Sequence, residues 1–334
     1  MITLGIETSC DETSVALVKD GRKILSNEVA SSIKFHKKYG GVIPEIASRM
    51  QLETITQVAE SALKEARIKL RDIDLISVTS GPGLLGSLLV GISFAKALSL
   101  SLNIPLLGVD HVRSHFYANF LEGKIIRLPF IALVVSGGHT SLFYVRDFDK
   151  VEIIGKTYDD ACGEAFDKVA KILNLGYPGG PLIERLALGG DPKSIKFNCS
   201  GTKNELDFSF SGIKTAVLYY VRRLKNRPTG KQANRPTKDI CASFQEAVIN
   251  TLVKKAILAC QLKKVNRLLL GGGVVANGSL RRRFIKAADE HGLSCHFPAR
   301  KICMDNAAMV AGLGYQLFKK GYKSGLYLNS ELNQ

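Results

Sequence analysis

At 334 residues, 46% hydrophobic and with a mean hydropathy of +0.07, the chain is long enough for two cores and too apolar for a disordered or low-complexity protein. Its net charge of +16 points to a polyanionic partner such as nucleic acid, with a basic surface kept for solubility as the plain alternative. Seven scattered cysteines offer no CxxC pair for zinc or redox chemistry and suit a reducing compartment; without a basic leader or an uninterrupted run of about 18 apolar residues, the chain reads as cytoplasmic with no membrane partner.

Residues 2–19, ITLGIETSCDETSVALVK, predict a strand, a polar turn and a second strand. Asp11 and Glu12 occupy that turn, where acids either bond the turn backbone or orient a reacting group. From Pro44, the spacing of Ile46, Met50, Ile55, Val58 and Leu63 predicts one packed helix face. DLISVTSGPGLLGSLLVGISFAKAL then reads as a buried strand, a glycine turn with Gly81, Gly83 and Gly86, and a helix. In GVDHVRSHFYANF, His111 and His115 stand one turn apart on the same helix face, close enough to share a metal ion. A zinc protease would carry its glutamate at the position of Val112, so the pair suggests a metal without the hydrolytic base; a solvated helix face explains it as simply. Asp110, just ahead, reads as a helix cap.

The second half repeats this plan. Residues 131–146, IALVVSGGHTSLFYVR, again read strand, turn, strand, and the small-residue turn Ser136 to Thr140 either presents amides to a phosphate or carboxylate or merely closes a hairpin. A predominantly helical insertion follows, from about 160 to 262. Within it, Glu164 and Asp167 lie near Lys168 and Lys171 as an ion-paired face would; Gly179, Gly180 and Pro181 form a turn, with Glu184 in the next helix. Arg222 to Lys238 carry seven basic residues, two prolines and no acid, an exposed loop suited to a phosphate backbone or to solvent. RLLLGGGVVANGSLRRRF gives a strand, the turn Gly271 to Gly273 and a helix, with Asn277 as a cap or as a reader of a ribose or adenine edge. Asp305, ahead of the last apolar helix, also reads as a cap; joined to the two histidines it would complete a set suited to Fe(II) or Zn(II). Four such turns in two matching halves predict two α/β lobes able to clamp a nucleotide, while the absence of GxGxxG and GxxxxGK[ST] argues against Rossmann and P-loop folds.

GIETSCDETS, YGGVIPEIASR, SGPGLLGSLLVG, the HxxxH segment, LVVSGGHTSL, DDACGEAFDKVAK, YPGGP, DFSFSGIKT, GGGVVAN and MDNAAM together resemble the TsaD family (formerly Gcp or YgjD), in family order and over nearly the whole chain. SCDETS is similar to its bacterial and organellar branch. The resemblance implies an α/β fold of the ASKHA class, the duplicated actin and Hsp70-like architecture. Its first lobe would comprise 1–124 plus about 305–334, and its second 125–304 with the helical insertion. It implies transfer of the threonylcarbamoyl group from threonylcarbamoyl-AMP to N6 of adenosine 37 in tRNAs reading A-starting codons, with release of AMP. His111, His115 and Asp305 would then ligate one divalent metal, Fe(II) ahead of Zn(II), which overrules the cap reading of Asp305. Val134, Val135, Ser136, Gly137 and Gly138, with Asp167, Gly180, Glu184 and Asn277, would hold the adenylate, and His139 adjoins them. Asp11 and Glu12 are the candidates for taking the amine proton. The implied partners are tRNA, a TsaB-like paralogue and a TsaE-like ATPase, or a second copy in a homodimer. Where the family often has glutamate between the histidines and threonine before the aspartate, this chain has Arg113 and Met304. A metalloprotease, the family's older label, and an ASKHA-type ATPase or kinase are the alternative activities, and a non-enzymatic scaffold would lack the metal ligands.

Overall fold

The computed structural model describes residues 1–123, 125–225 and 235–331. The chain forms two units, Met1–Arg127 together with the chain from Pro298 on, and Leu128–Phe297. In the first, β1 (Ile2–Glu7), β2 (Glu12–Lys19) and β3 (Lys23–Ser31) form an antiparallel meander, followed by α1 (Ile33–His36), α2 (Pro44–Ala66), β4 (Leu75–Gly81), α3 (Leu85–Leu102), β5 (Leu106–Asp110) and α4 (His111–Tyr117). The sheet order is β3-β2-β1-β4-β5, with β1, β4 and β5 parallel. In the second unit, β6 (Phe130–Val135), β7 (Thr140–Asp147) and β8 (Lys150–Lys156) repeat the meander. Helices α5 (Cys162–Ile172), α6 (Gly179–Ala187), α7 (Ser211–Lys225) and α8 (Arg235–Lys263) come before β9 (Arg267–Gly271), α9 (Gly278–Glu290) and β10 (Ser294–His296). Its order, β10-β9-β6-β7-β8 with β6, β9 and β10 parallel, is the plan of the first sheet. Helix α10 (Ala307–Lys319) belongs to the first unit.

The middle strands are buried along almost their whole length, as expected for strands whose sheet is covered on both faces. In the first unit α10 lies flat on β1 because small residues meet there: a Cβ on Gly5 would stand 2.2 Å from the Ala307 carbonyl oxygen, so only glycine admits the helix. Helix α2 starts with Pro44 at its first turn, where the missing N–H is harmless, and ends on Arg67 in the left-handed region. Its buried face is Ala47, Gln51, Ile55, Val58, Ala59 and Ala62. That stripe is rotated from the predicted one, leaving Ile46, Met50 and Leu63 half-buried, because the small alanines permit a closer approach to the sheet. Helix α3 is long and apolar enough, by length and composition, to cross a membrane; here Leu88, Ile92 and Ala95 pack into the core of the first unit. All seven cysteines are free thiols.

The second unit's core gathers β6 and β9 with helices α5 to α9. The α7 N-terminus is tied down by Asp159, whose carboxylate accepts from the Phe210 and Ser211 amides and from the Ser209 and Ser211 hydroxyls. In the basic stretch 222–238, residues 226–234 lie outside the described residues; Arg222 and Arg223 are exposed near the end of α7.

Candidate functional site

In the first unit the site forms at the C-terminal ends of the parallel strands. β5 delivers Asp110 as the α4 cap, its carboxylate accepting from the Arg113 amide at 2.7 Å, so that His111 opens the helix and His115 follows one turn later. Asp305 is not the cap of α10. That role falls to Asn306, whose side chain accepts from Met309 N at 3.2 Å. The α10 start is fixed further by Ser14 Oγ on Ala307 N and Asn27 Oδ1 on Ala308 N. With capping supplied one residue later, the Asp305 carboxylate turns to the histidines: its Oδ1 lies 3.3 Å from His115 Nε2 and 3.7 Å from His111 Nε2.

These three side chains offer ligand atoms within 4.8 Å of one another. Atoms sharing one ion at about 2.0–2.2 Å stand roughly 3–3.5 Å apart, so the cluster fits a cation with little adjustment. The decisive observation is His115, which is 1% exposed and whose two ring nitrogens make no hydrogen bond among the described residues; the 3.3 Å approach of Asp305 lacks hydrogen-bond geometry. A buried imidazole left unsatisfied costs about 1–3 kcal/mol, a penalty that ligation removes.

Sequence reasoning missed the support of His111. Glu7, the last residue of β1, places Oε2 2.9 Å from His111 Nδ1, and Ser9 Oγ stands 3.1 Å from the same nitrogen. Glu7 is itself held by Ser9 N on Oε1 and by the Thr79 hydroxyl on Oε2, each at 2.6 Å. This carboxylate fixes the ring so that Nε2 faces Asp305, the outer-shell arrangement that raises the basicity of a ligating histidine. Burial opposes a charge on His111, but Glu7 and then Asp305 outweigh it and push its pKa up to about 9. Glu7 is lowered in return, the pull of His111 exceeding the effect of burial. The available signal was an acid closing a strand, ITLGIE, whose other residues are apolar except Thr3.

Asp11 sits in the β1–β2 turn as predicted, whereas Glu12 is already the first residue of β2, paired with Ser31 of β3. The turn is pinned by the buried Gln51 of α2, whose amide donates to the Cys10 carbonyl at 2.9 Å and the Glu12 carbonyl at 3.0 Å. Burial, with the neighbouring Asp305 and Asp11 carboxylates, pushes Glu12 well above the usual carboxylate range.

The adenylate candidates all fall in the second unit. Ser136 to His139 close the β6–β7 hairpin, with Ser136 N bonded to the His139 carbonyl and His139 N to Ser136 Oγ, and Gly137 and Gly138 stay exposed. Val134 and Val135 are fully buried strand residues, so they can offer a ligand only backbone groups. Beside the hairpin, Gly272 has φ +94 and a Cβ on it would stand 2.3 Å from the Val135 carbonyl oxygen, which makes glycine obligatory there. Asp167 accepts from Gly179 N at 2.6 Å, and Glu184 from Gly278 N at 2.7 Å. The carboxylates thus tie α5 to α6 and α6 to α9. Asn277 caps α9 through Leu280 N and donates to Gln245, while space beside Gly180 is open. Lys168 makes the expected ion pair with Glu164 at 2.8 Å and a second with Asp160 at 2.6 Å.

Two sheets of one plan, each followed by a glycine turn at a strand end, place the chain in the ASKHA class of α/β proteins. Similarity to solved structures agrees: the HypF of T. kodakarensis matches with a TM-score of 0.65 at 14% identity, over 96% of this chain and 48% of that one. Component A of the Acidaminococcus fermentans (R)-2-hydroxyglutaryl-CoA dehydratase matches with a TM-score of 0.53 at 16% identity, over 95% and 98%. The family model of TsaD, tRNA N6-adenosine threonylcarbamoyltransferase, matches residues 23–312, and the chain belongs to that family. Among relatives bearing the same description, that of Dictyoglomus turgidum is 52% identical over 332 residues, 99% of this chain and 97% of its own. That of Thermosipho africanus is 50% identical over 334 residues, 100% and 99%.

Proposed function

We propose that the protein transfers the threonylcarbamoyl group of threonylcarbamoyl-AMP to N6 of adenosine 37 in tRNAs reading A-starting codons, releasing AMP. The observation that carries this reading is full-length identity of about half to relatives named tRNA N6-adenosine threonylcarbamoyltransferase. The exocyclic amine of adenine is a weak nucleophile because its lone pair is delocalised into the ring. The acyl donor must therefore arrive activated, here as a mixed anhydride with AMP, and be held in line with the amine.

In this reading His111, His115 and Asp305 hold one divalent cation, Fe(II) ahead of Zn(II), which supplies Lewis-acid and template chemistry when bound. Glu7 and Ser9 keep the His111 ring oriented toward it. Within the Val134 to Gly138 stretch, the amides of the exposed, side-chain-free Gly137 and Gly138 receive the donor's phosphate, since the Ser136 amide already donates to the His139 carbonyl. Asp167, Gly180, Glu184, Asn277 and the adjoining His139 complete the adenylate site. For Asn277 this leaves the second Nδ2 hydrogen, since its oxygen caps α9. Asp11 or Glu12 accepts the amine proton. A TsaB-like paralogue and a TsaE-like ATPase, or a second copy of the chain, assist in the cytoplasm.

The test supplies threonylcarbamoyl-AMP and unmodified tRNA to the metal-loaded protein, with and without the two helpers, and digests the tRNA for nucleoside mass spectrometry. Threonylcarbamoyl adenosine is the expected product. Its absence under every combination overturns the reading. Single-turnover transfer that survives Asp11→Ala or Glu12→Ala removes that residue from the proton-transfer role.

A further inference from the structure

The segment 33–41, IKFHKKYGG, has no part in the chemistry above, yet its construction is specific. Between Ile33 and Gly40 only His36 is buried, at 0% exposure. Its Nδ1 accepts from Ile43 N at 3.2 Å, which leaves the proton on Nε2, 2.9 Å from Ser32 Oγ. Ser32 in turn donates its hydroxyl at 2.8 Å and its amide at 3.0 Å to the Asp11 carbonyl. The chain of bonds anchors the segment to the turn that carries Asp11 and leads into Glu12. Everything the anchor leaves outside is of one kind. Lys34, Lys37 and Lys38 are exposed and make no ion pair among the described residues, no acid lies within 33–41, and Phe35 and Tyr39 are 51% and 60% exposed. Exposed aromatics between unpaired lysines cost solubility on a free surface, but they match a single-stranded nucleic acid, whose phosphates take the ammonium groups and whose bases stack on the rings.

We infer that this segment is the clamp for the anticodon loop of the tRNA substrate: Lys34, Lys37 and Lys38 pair with loop phosphates, and Phe35 and Tyr39 stack on unpaired bases. The inference rests on the tRNA-modifying reading above. It also gives the Ser32 and His36 anchor a purpose, since RNA held on the segment is thereby held beside the Asp11 turn. The three lysines act as phosphate contacts without sequence preference, and the rings favour an unpaired loop over a duplex.

The test measures binding of unmodified tRNA to the full chain over a series of salt concentrations. In the triple variant Lys34→Ala, Lys37→Ala, Lys38→Ala, affinity is expected to fall about tenfold or more, and the slope of log K against log salt to become shallower by about two to three. The corresponding triple arginine variant keeps both, which separates loss of charge from loss of folding. tRNA carrying 4-thiouridine in the anticodon loop is expected to crosslink to the unaltered protein at Phe35 or Tyr39. An unchanged salt slope in the alanine variant, or crosslinks that fall elsewhere, overturns the clamp. Alanine variants that bind tRNA normally but lose a protein partner also overturn it and assign the segment to a protein interface. Unaltered protein is assayed for product alongside: product with an unchanged slope defeats the clamp alone, and no product defeats the transferase reading.

Discussion

At the scale of single residues, the candidate metal cluster depends on what stands behind each side chain. Glu7→Gln keeps the volume but replaces a carboxylate that orients and polarises His111 with a neutral amide. Metal affinity measured by competition with a chromophoric chelator should fall about 10–100-fold, with the fold intact by circular dichroism. His115→Ala should abolish stoichiometric metal binding in the same assay, because it removes the buried imidazole whose ring nitrogens make no hydrogen bond among the described residues. Gly272→Ala tests backbone rather than ligand chemistry. Its φ of +94 and the 2.3 Å approach to the Val135 carbonyl predict a loss of about 1–3 kcal/mol in urea unfolding, with the metal site unaffected. Asp305 shows how small a displacement separates two roles: a cap at 305 would have occupied the carboxylate, and the cap at Asn306 releases it.

At the scale of elements, several helices, among them those that carry or follow candidate site residues, are held at their starts by a neighbouring side chain. Asp110 caps α4, Asn306 caps α10, Asn277 and Glu184 hold the first amides of α9, and Asp159 holds α7. Burial would raise the Asp159 carboxyl, but the hydrogen bonds from Ser209, Ser211 and the Phe210 amide outweigh it and lower its pKa below 3.8. A carboxylate lowered in the fold contributes stability above its unfolded pKa, and that contribution is lost as pH falls through the folded value. Asp159→Ala should therefore cost about 1 kcal/mol at neutral pH, and its urea midpoint should converge on that of the unaltered protein as the pH is brought below 3.8. A deficit independent of pH would mean that lost packing, not the ionised cap, is responsible.

At the scale of the whole molecule, the candidate metal ligands come from the two chain segments of the first unit: His111 and His115 before Arg127, and Asp305 after Pro298. A cation bound by all three links those segments, so it stabilises the first unit by mass action, about 2.7 kcal/mol at a free concentration one hundred times Kd. Hydrogen exchange with and without metal should show added protection in α4 and the start of α10, absent in His115→Ala. Protection spread equally over the second unit would contradict a site built from the first unit alone.

The repeated strand, turn, strand plan, the glycine turns after buried strands, the helical segments and the Asp110 cap are legible from the residues alone, because these depend on local periodicity and on which residues tolerate a given turn. The sequence also carried, through ten ordered motifs, the resemblance to the family that the full-length relatives establish. The rest was not local. Whether Asp305 or Asn306 caps a helix depends on how Ser14 and Asn27, almost three hundred residues away in sequence, hold the α10 amides. Whether Glu7 is an ordinary strand end or the support of a histidine depends on where β5 and α4 come to rest beside β1 and β4. On α2 the largest apolar residues do not define the buried face, since small side chains allow a closer approach. Local rules set which elements form, and only tertiary packing decided which polar atoms were left to face one another.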